Sequence, residues 1–403
     1  MLSDQKGHGA RMTVCNAVSR RLWPLESSRL CVEARARTGF EEFGDPEIEG
    51  RLSVLADSIE REANLHPFGR LLTRTHLRDL LETRLALAEV WRRKDPAEAV
   101  QRPVFITGMP RSGSTFLHEL LAQDPDNRAP CVWEVMFPVA AIRREPRATR
   151  RSMQKAAVRL WWFRRITPRA DSICPLRASG AHECVTIHSY TLLSHEFVIM
   201  FRVPSYRAFL NAADLRPAYE WQKEFLQWLQ ARGCSKRWVL KSPDHVFGLE
   251  ALFQVFPDAL VIQTHRDPLE VLQSCIRMVD GLQRTFARRE EIHQIAAREA
   301  LALAEGMERI TQFRENHPEL AERFVDVHYR ELVSEPLAAI QRVYAQLELP
   351  LDSVTTRRIR SLACSRSRYR QGAPPTLRQL GLEPQAERLR FRNYCLRFGI
   401  QHS

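Results

Sequence analysis

The chain has 403 residues, 44% hydrophobic and 27% charged, with 60 Lys plus Arg against 48 Asp plus Glu, a formal net charge of +12. That composition is too apolar for a disordered chain, and the length suffices to bury a large core without covalent staples. There is no run of about 18 apolar residues, the first 14 residues lack an apolar signal core, and nine single cysteines form no C-x-x-C pair, so no transmembrane helix, secretory leader, disulfide framework or zinc site is expected, and the expected location is cytoplasmic.

Residues 1–100 read as a helical N-terminal extension. Segments 47–64 and 76–93 carry apolar residues at helical spacing, among them Leu80, Leu81, Leu85, Leu87 and Val90, and Lys94-Asp95-Pro96 ends the second. No nucleophile or ligand cluster stands out there. The extension is expected to cap the main domain, residues 101–403, or to line an acceptor cleft.

From residue 101 the texture changes. Pro103 to Thr107 is a short β-prone run, Gly108 to Gly113 a glycine-bounded loop, and Ser114 to Ala122 a helix. Gly108 to Thr115 matches the Walker A pattern except that Ser114 stands where the lysine belongs. In such a loop the glycines let backbone N–H groups point inward, and the helix N-terminus adds partial positive charge. Ser112, Ser114 and Thr115 add hydroxyls, and Arg111 supplies a permanent charge three positions before the missing lysine. This weakens an Mg²⁺-nucleotidase reading and favours another phosphate-bearing donor.

Glu134 lies beside Trp133 and Phe137 at a turn after the loop helix. Such a carboxylate suits a desolvated general base, or an ion pair with one of the arginines that follow it. The stretch 143–165 is the most basic, with Trp161, Trp162 and Phe163 inside it. A solvated helix face beside an apolar stripe is favoured there over a polyanion-binding surface. His182 and Glu183 are rival bases. They do not spell H-E-x-x-H, and no metal is expected. Aromatic residues between 160 and 230 suit an acceptor wall or, for most of them, a core.

Residues 237–240 and 259–264 read as buried strands, each followed by a helix, 243–256 and 268–279. A long helix near 290–316 precedes a last strand at 324–327. The alternation predicts an α/β fold, a P-loop-like three-layer α/β/α arrangement with a central parallel sheet. Lys241 ends one strand, on the sheet edge where such folds bind ligands. Arg266 ends another, and Ser274 follows two helical turns later, near enough for both to reach one phosphate.

The sequence PRSGST between a strand and a helix resembles the 5′-phosphosulfate loop of sulfotransferases that use 3′-phosphoadenosine 5′-phosphosulfate (PAPS). It is most similar to the tyrosylprotein enzymes and to a large bacterial branch. Arg266 and Ser274 match that family's 3′-phosphate motif, and Tyr329 resembles the tyrosine beside its nucleotide. Lys241 in Leu240-Lys241-Ser242 resembles the lysine that contacts the transferring group, and Glu134 the catalytic glutamate of the tyrosylprotein branch, at a slightly different spacing. Arg366, Arg368 and Arg370 before Gly372 stand where the family closes over the 3′-phosphate, with a different pattern. The resemblance covers about residues 101–350.

It implies Arg111, Ser112, Gly113, Ser114, Thr115, Arg266, Ser274 and Tyr329 as donor-binding residues, and Glu134, Lys241 and Arg111 as catalytic ones. The reaction would move a sulfuryl group from PAPS to a hydroxyl or amine of a small-molecule, lipid, sugar or peptide acceptor, with no metal and no nucleic-acid partner. The alternatives are a P-loop nucleotide kinase or NTPase, and a non-catalytic nucleotide- or polyanion-binding protein.

Overall fold

A computed structural model describes residues 18–92, 98–143, 145–168, 170, 176–231, 237–366 and 375–400. Five strands, β1 (Val104–Gly108), β2 (Asn127–Arg128), β3 (Arg237–Lys241), β4 (Leu260–His265) and β5 (Phe324–His328), form one parallel sheet in the order β2-β3-β1-β4-β5. Successive residues of each long strand feed two different cores. Val104, Ile106, Val239, Leu260, Ile262, Val325 and Val327 point to one face, and Phe105, Trp238, Leu240, Val261 and Phe324 to the other. Both faces are apolar, so the central strands β1 and β4 read in sequence as hydrophobic runs, while Asp326 interrupts the edge strand β5.

Three helices precede the sheet: α1 (Ser27–Thr38), α2 (Ile48–Glu62) and α3 (Pro67–Arg92). Their Leu52, Leu55, Leu77, Leu80 and Leu81 enter the same core as Phe105 and Leu240. α3 begins nine residues before the expected start. Its first turns hide their apolar period because Arg70 and Thr73 are buried there with partners: Arg70 pairs with Glu60 at 2.6 Å, and Thr73 donates to the Gly69 carbonyl.

After β1 come α4 (Ser114–Leu121), α5 (Val132–Met136), α6 (Pro138–Arg143) and α7 (Pro146–Ile166). α8 (Arg216–Gln230) leads to β3, and α9 (Leu249–Val255), α10 (Pro268–Gln283) and α11 (Ile292–Asn316) follow. α12 (Tyr329–Ser334), α13 (Pro336–Gln346) and, near the C-terminus, α14 (Arg392–Arg397) complete the labelled elements. α4 and α13 cover one face, through Leu117, Leu120, Ile340 and Val343. α8 to α11 cover the other, through Phe225, Leu252, Ile276 and Ile310.

Two elements differ from the sequence reading. The helix expected over 243–256 is a 3₁₀ turn, Pro243–Phe247, then α9, because Ser242 caps Asp244 and Gly248 interrupts the run. β2 was not expected. Two residues carry no period, and tertiary contacts hold them: Arg237 donates to Asn127 Oδ1 at 3.0 Å, and Arg128 stacks over the Trp238 ring at 4.7 Å.

Candidate active site

The C-terminal ends of β1, β3, β4 and β5 lie side by side, in the crevice where strand order reverses about β1. Register sets Lys241 level with Ile106, and Thr264 level with Gly108. Residues distant in sequence therefore meet at one edge.

The loop after β1 is shaped by two glycines. Gly108 has φ +127°, and a Cβ there would lie 2.4 Å from the Thr264 carbonyl oxygen. Gly113, the residue before α4, has φ +93°, and its Cβ would lie 2.9 Å from the Tyr329 ring. Only glycine fits both the left-handed backbone and the close approach. Gly113→Ala is therefore expected to destabilise the fold by about 1–2 kcal/mol and to weaken donor binding by displacing Tyr329. Denaturant unfolding and nucleotide titration check it; unchanged stability with unchanged affinity would contradict this packing.

Arg111 has φ +65°, an unfavourable conformation for a branched-out side chain. Contacts from two other elements hold it. Its carbonyl accepts from Arg266 Nη1 at 2.9 Å, and its own Nε donates to Ser274 Oγ at 3.0 Å. Arg266 in turn lies over the Tyr329 ring, 4.1 Å from its centroid. Gly113, Tyr329, Arg266, Arg111 and Ser274 thus form a continuous chain of contacts, joining the two anion sites that the sequence suggested. Arg266 and Ser274 are linked through Arg111 rather than directly.

Glu270, which the sequence reading did not single out, accepts from Arg266 Nε at 2.9 Å. A charged phosphate would have to share or replace that partner. Ser112 is also placed differently from the expectation. Its buried hydroxyl donates to the Met109 carbonyl and sits 2.6 Å from Thr264 Oγ1, which donates to the Thr107 carbonyl. Ser112 therefore braces the loop against β4, and Thr264, missed in the sequence, is its partner. Ser114 is buried at the start of α4, and Thr115 is exposed. Arg366, Arg368, Arg370 and Gly372 lie outside the described side chains.

The second centre is at the end of β3. Lys241, 2% exposed, is bonded through Nζ to Glu183 Oε1. Glu183 is the residue before the short helix Cys184–Ser189. The segment leading to it is pinned to the α5 turn: His182 N–H donates to the Pro130 carbonyl at 2.8 Å, and Val132 N–H to the Gly180 carbonyl at 3.0 Å. Burial raises the proton affinity of Glu183, but the charge and hydrogen bond of Lys241 outweigh it, and the net shift is downward. Asp244 goes the other way. Burial and then the charge of Glu183 push it up to about 7. Two neighbouring carboxylates thus have their proton affinities driven apart, as acid–base pairs require.

Glu134, the first candidate for the base, is engaged elsewhere. Its Oε2 accepts from its own helix's Cys131 N–H at 2.8 Å, and its Oε1 from Arg128 at 2.9 Å. The capping box explains why a glutamate stands three residues into that turn. The alternative of an arginine partner applies, although the arginine precedes it. The aromatic residues of 160–230 do not form one wall. Tyr190, Phe197, Phe201, Tyr206 and Tyr219 are core, whereas Trp161 and Trp162 face solvent.

His118, on α4, is buried with Nε2 3.0 Å from the Val239 carbonyl. Burial and then Lys241 lower its pKa to about 4. Burial likewise lowers His188 to about 4, and burial followed by Arg207 lowers His195 to about 3. These folded-state pKa values lie below the unfolded 6.5, so the unfolded chain binds protons first. Stability from these groups is complete above about pH 6.5 and is lost as pH falls toward 4, at up to ~1.4 kcal/mol per pH unit for each histidine. Melting temperature measured from pH 7.5 to 4.5 is expected to fall steeply below 6.5. A flat profile to pH 5 would contradict neutral buried histidines.

Among the described residues no three His, Cys, Asp or Glu side chains converge to hold a metal ion. The family model described as "Sulfotransferase family" matches residues 103–353. Omega-hydroxy-beta-dihydromenaquinone-9 sulfotransferases Stf3 of Mycobacterium bovis and Mycobacterium tuberculosis are each 24% identical over 271 residues, covering 61% of this chain and 63% of theirs. The chain thus aligns with less than two thirds of the length of those relatives. Among solved structures, sulfotransferase STF9 from Mycobacterium avium matches with TM-score 0.80, at 25% identity over 94% of this chain and 97% of its own. Sulfotransferase STF1 from M. tuberculosis matches with TM-score 0.77, at 26% identity over 91% and 98%. With strand edge, loop and family model in agreement over most of the chain, the protein belongs to the sulfotransferase family.

Proposed function

We propose that the protein transfers a sulfuryl group from PAPS to an acceptor hydroxyl, with Glu183 as the base. The observation that carries this reading is the placement of the Gly113–Tyr329–Arg266–Arg111–Ser274 chain and the Lys241–Glu183 pair at the same sheet edge. The first group of residues fits a donor with two separated phosphate positions. Loop N–H groups and Arg111 would hold the 5′ end, and Arg266 with Ser274 the 3′-phosphate, with Tyr329 beside the nucleotide.

In the transfer, the acceptor oxygen forms a bond to sulfur while the bond from sulfur to the 5′-phosphate oxygen breaks. Glu183 takes the hydroxyl proton. Lys241 and Arg111 stabilise the charge that develops on the phosphate oxygen of the departing 3′,5′-ADP. Lys241 also sets when the base is strong. While its ammonium is bonded to Glu183, the carboxylate's proton affinity is low. Drawing that ammonium toward donor oxygens raises it, so basicity appears when the donor is in place.

The acceptor class we propose is a hydroxylated lipid, by analogy with the quinone lipid in the relatives' names. Incubation with PAPS and hydroxylated prenylquinones or long-chain alcohols, read by mass spectrometry, should give sulfated product and 3′,5′-ADP in equal amounts. Mg²⁺-dependent ATP turnover without sulfated product would overturn the reading in favour of an NTPase.

A further inference from the structure

α7 carries seven basic residues and no acidic one. Its inner stripe, Ser152, Ala156 and Leu160, is buried, packed toward α5 and α6. At 3.6 residues per turn, Arg151, Lys155, Val158, Trp162 and Arg165 fall on the opposite side, flanked by Trp161. That outer face is open: Val158 is 56%, Trp161 49% and Trp162 56% exposed. The two indoles pack edge to face, with Arg165 over Trp161 at 5.0 Å. The paired tryptophans and the cations beside them thus present apolar rings and positive charge together on one face.

We propose that α7 is an interfacial helix that docks the enzyme on an anionic lipid bilayer. Trp161, Trp162 and Val158 enter the headgroup–acyl boundary, and Arg151, Lys155 and Arg165 pair with anionic headgroups. The residue types and their single-sided placement are those an interfacial helix needs: indoles for the boundary region and flexible cations for the phosphates. Among the described residues no helix is long and apolar enough to cross a membrane, so the contact is with the surface.

The placement also connects to the site. Arg164 donates to the Leu176 carbonyl at 2.5 Å and Trp133 N–H to the Ala178 carbonyl at 3.0 Å, so α7 and α5 together hold the segment that runs into Glu183. Arg159 anchors the helix to α3 through Asp79 at 2.8 Å. An acceptor arriving from the bilayer would enter beside the base. The docking itself does not depend on the sulfuryl reading.

Vesicle flotation tests it, with phosphatidylcholine alone and with about 30% phosphatidylglycerol. The full chain should float with the anionic vesicles and not with the neutral ones. Trp161→Ser with Trp162→Ser should weaken partitioning by about tenfold or more. Arg151→Glu, Lys155→Glu and Arg165→Glu should each weaken it by roughly fivefold or more. Brominated lipids should quench fluorescence in the wild type and much less in the tryptophan variant. Thermal stabilisation by 3′,5′-ADP, measured on the same variants, should be unchanged and separates failure here from failure of the donor site. The proposal is overturned if vesicle binding is absent, or insensitive to the tryptophans. It is also overturned if the tryptophan variant instead abolishes a dimer seen in sedimentation, or if the cations serve only heparin or RNA.

Discussion

Glu183→Gln should lower kcat by about 10²–10⁴ while leaving 3′,5′-ADP affinity nearly intact. The amide keeps the size and one acceptor for Lys241 but cannot take a proton. Glu134→Gln should do the reverse. It leaves kcat nearly unchanged and lowers stability, since the capping carboxylate loses its charge toward Arg128 and the Cys131 N–H. The pair of variants separates a base from a brace, which activity loss alone would not. Removing the other half of the site is expected to be harsher. Lys241→Ala leaves the Glu183 charge without its partner at the buried end of β3, at a cost of about 3–5 kcal/mol. Lys241→Ala combined with Glu183→Gln should recover much of that stability and none of the turnover. Measured kcat, nucleotide Kd and unfolding free energy for the four variants check this; full activity in Glu183→Gln would remove the residue from the mechanism.

Arg266→Ala should weaken 3′,5′-ADP binding by about 30- to 150-fold, the equivalent of ~2–3 kcal/mol for a charged hydrogen-bonded partner. Its effect on ADP, which lacks the 3′-phosphate, should be several-fold smaller. The structure adds a reason beyond the lost charge: Arg266 also holds the Arg111 carbonyl and covers Tyr329, so the loop loses a brace. Arg266→Lys keeps the charge but cannot reach the carbonyl, the ring and a phosphate with one planar fork, and should fall between. Calorimetric titration with both nucleotides gives the comparison. Equal losses for ADP and 3′,5′-ADP would mean that Arg266 does not contact the 3′-phosphate.

The sheet was legible because both faces of its central strands β1 and β4 are buried, which leaves continuous apolar runs such as Val104 to Ile106 and Leu260 to Ile262. The glycine loop was legible because its backbone shape demands glycine at particular places. β2 was not, since two residues fixed by long-range contacts have no pattern of their own. In the site, Lys241 and Arg266 could be proposed from residue type and position at strand ends and Ser274 from its spacing to Arg266, whereas Tyr329 rested on the resemblance. What spacing could not decide was which carboxylate Lys241 meets. Glu134 and Glu183 both sit beside aromatic or histidine neighbours, and only the fold brings residue 183 to residue 241 across 58 positions. Asp244 carried a readable signal, a carboxylate in the first turn after the strand-end lysine. Glu270 and Thr264 carried none beyond their nearness to Arg266.

On the proposed reading, this sheet edge holds two separate phosphates of one nucleotide. Thermal stability with 3′,5′-ADP, with ADP and with ATP plus Mg²⁺ tests it most directly, since a ligand that binds only the folded chain raises the midpoint in proportion to RT ln(1 + [L]/Kd). The midpoint is expected to rise with 3′,5′-ADP well above its rise with ADP at equal concentration, and Arg266→Ala should abolish the difference. A larger rise with ATP plus Mg²⁺, or equal rises with 3′,5′-ADP and ADP, would contradict it.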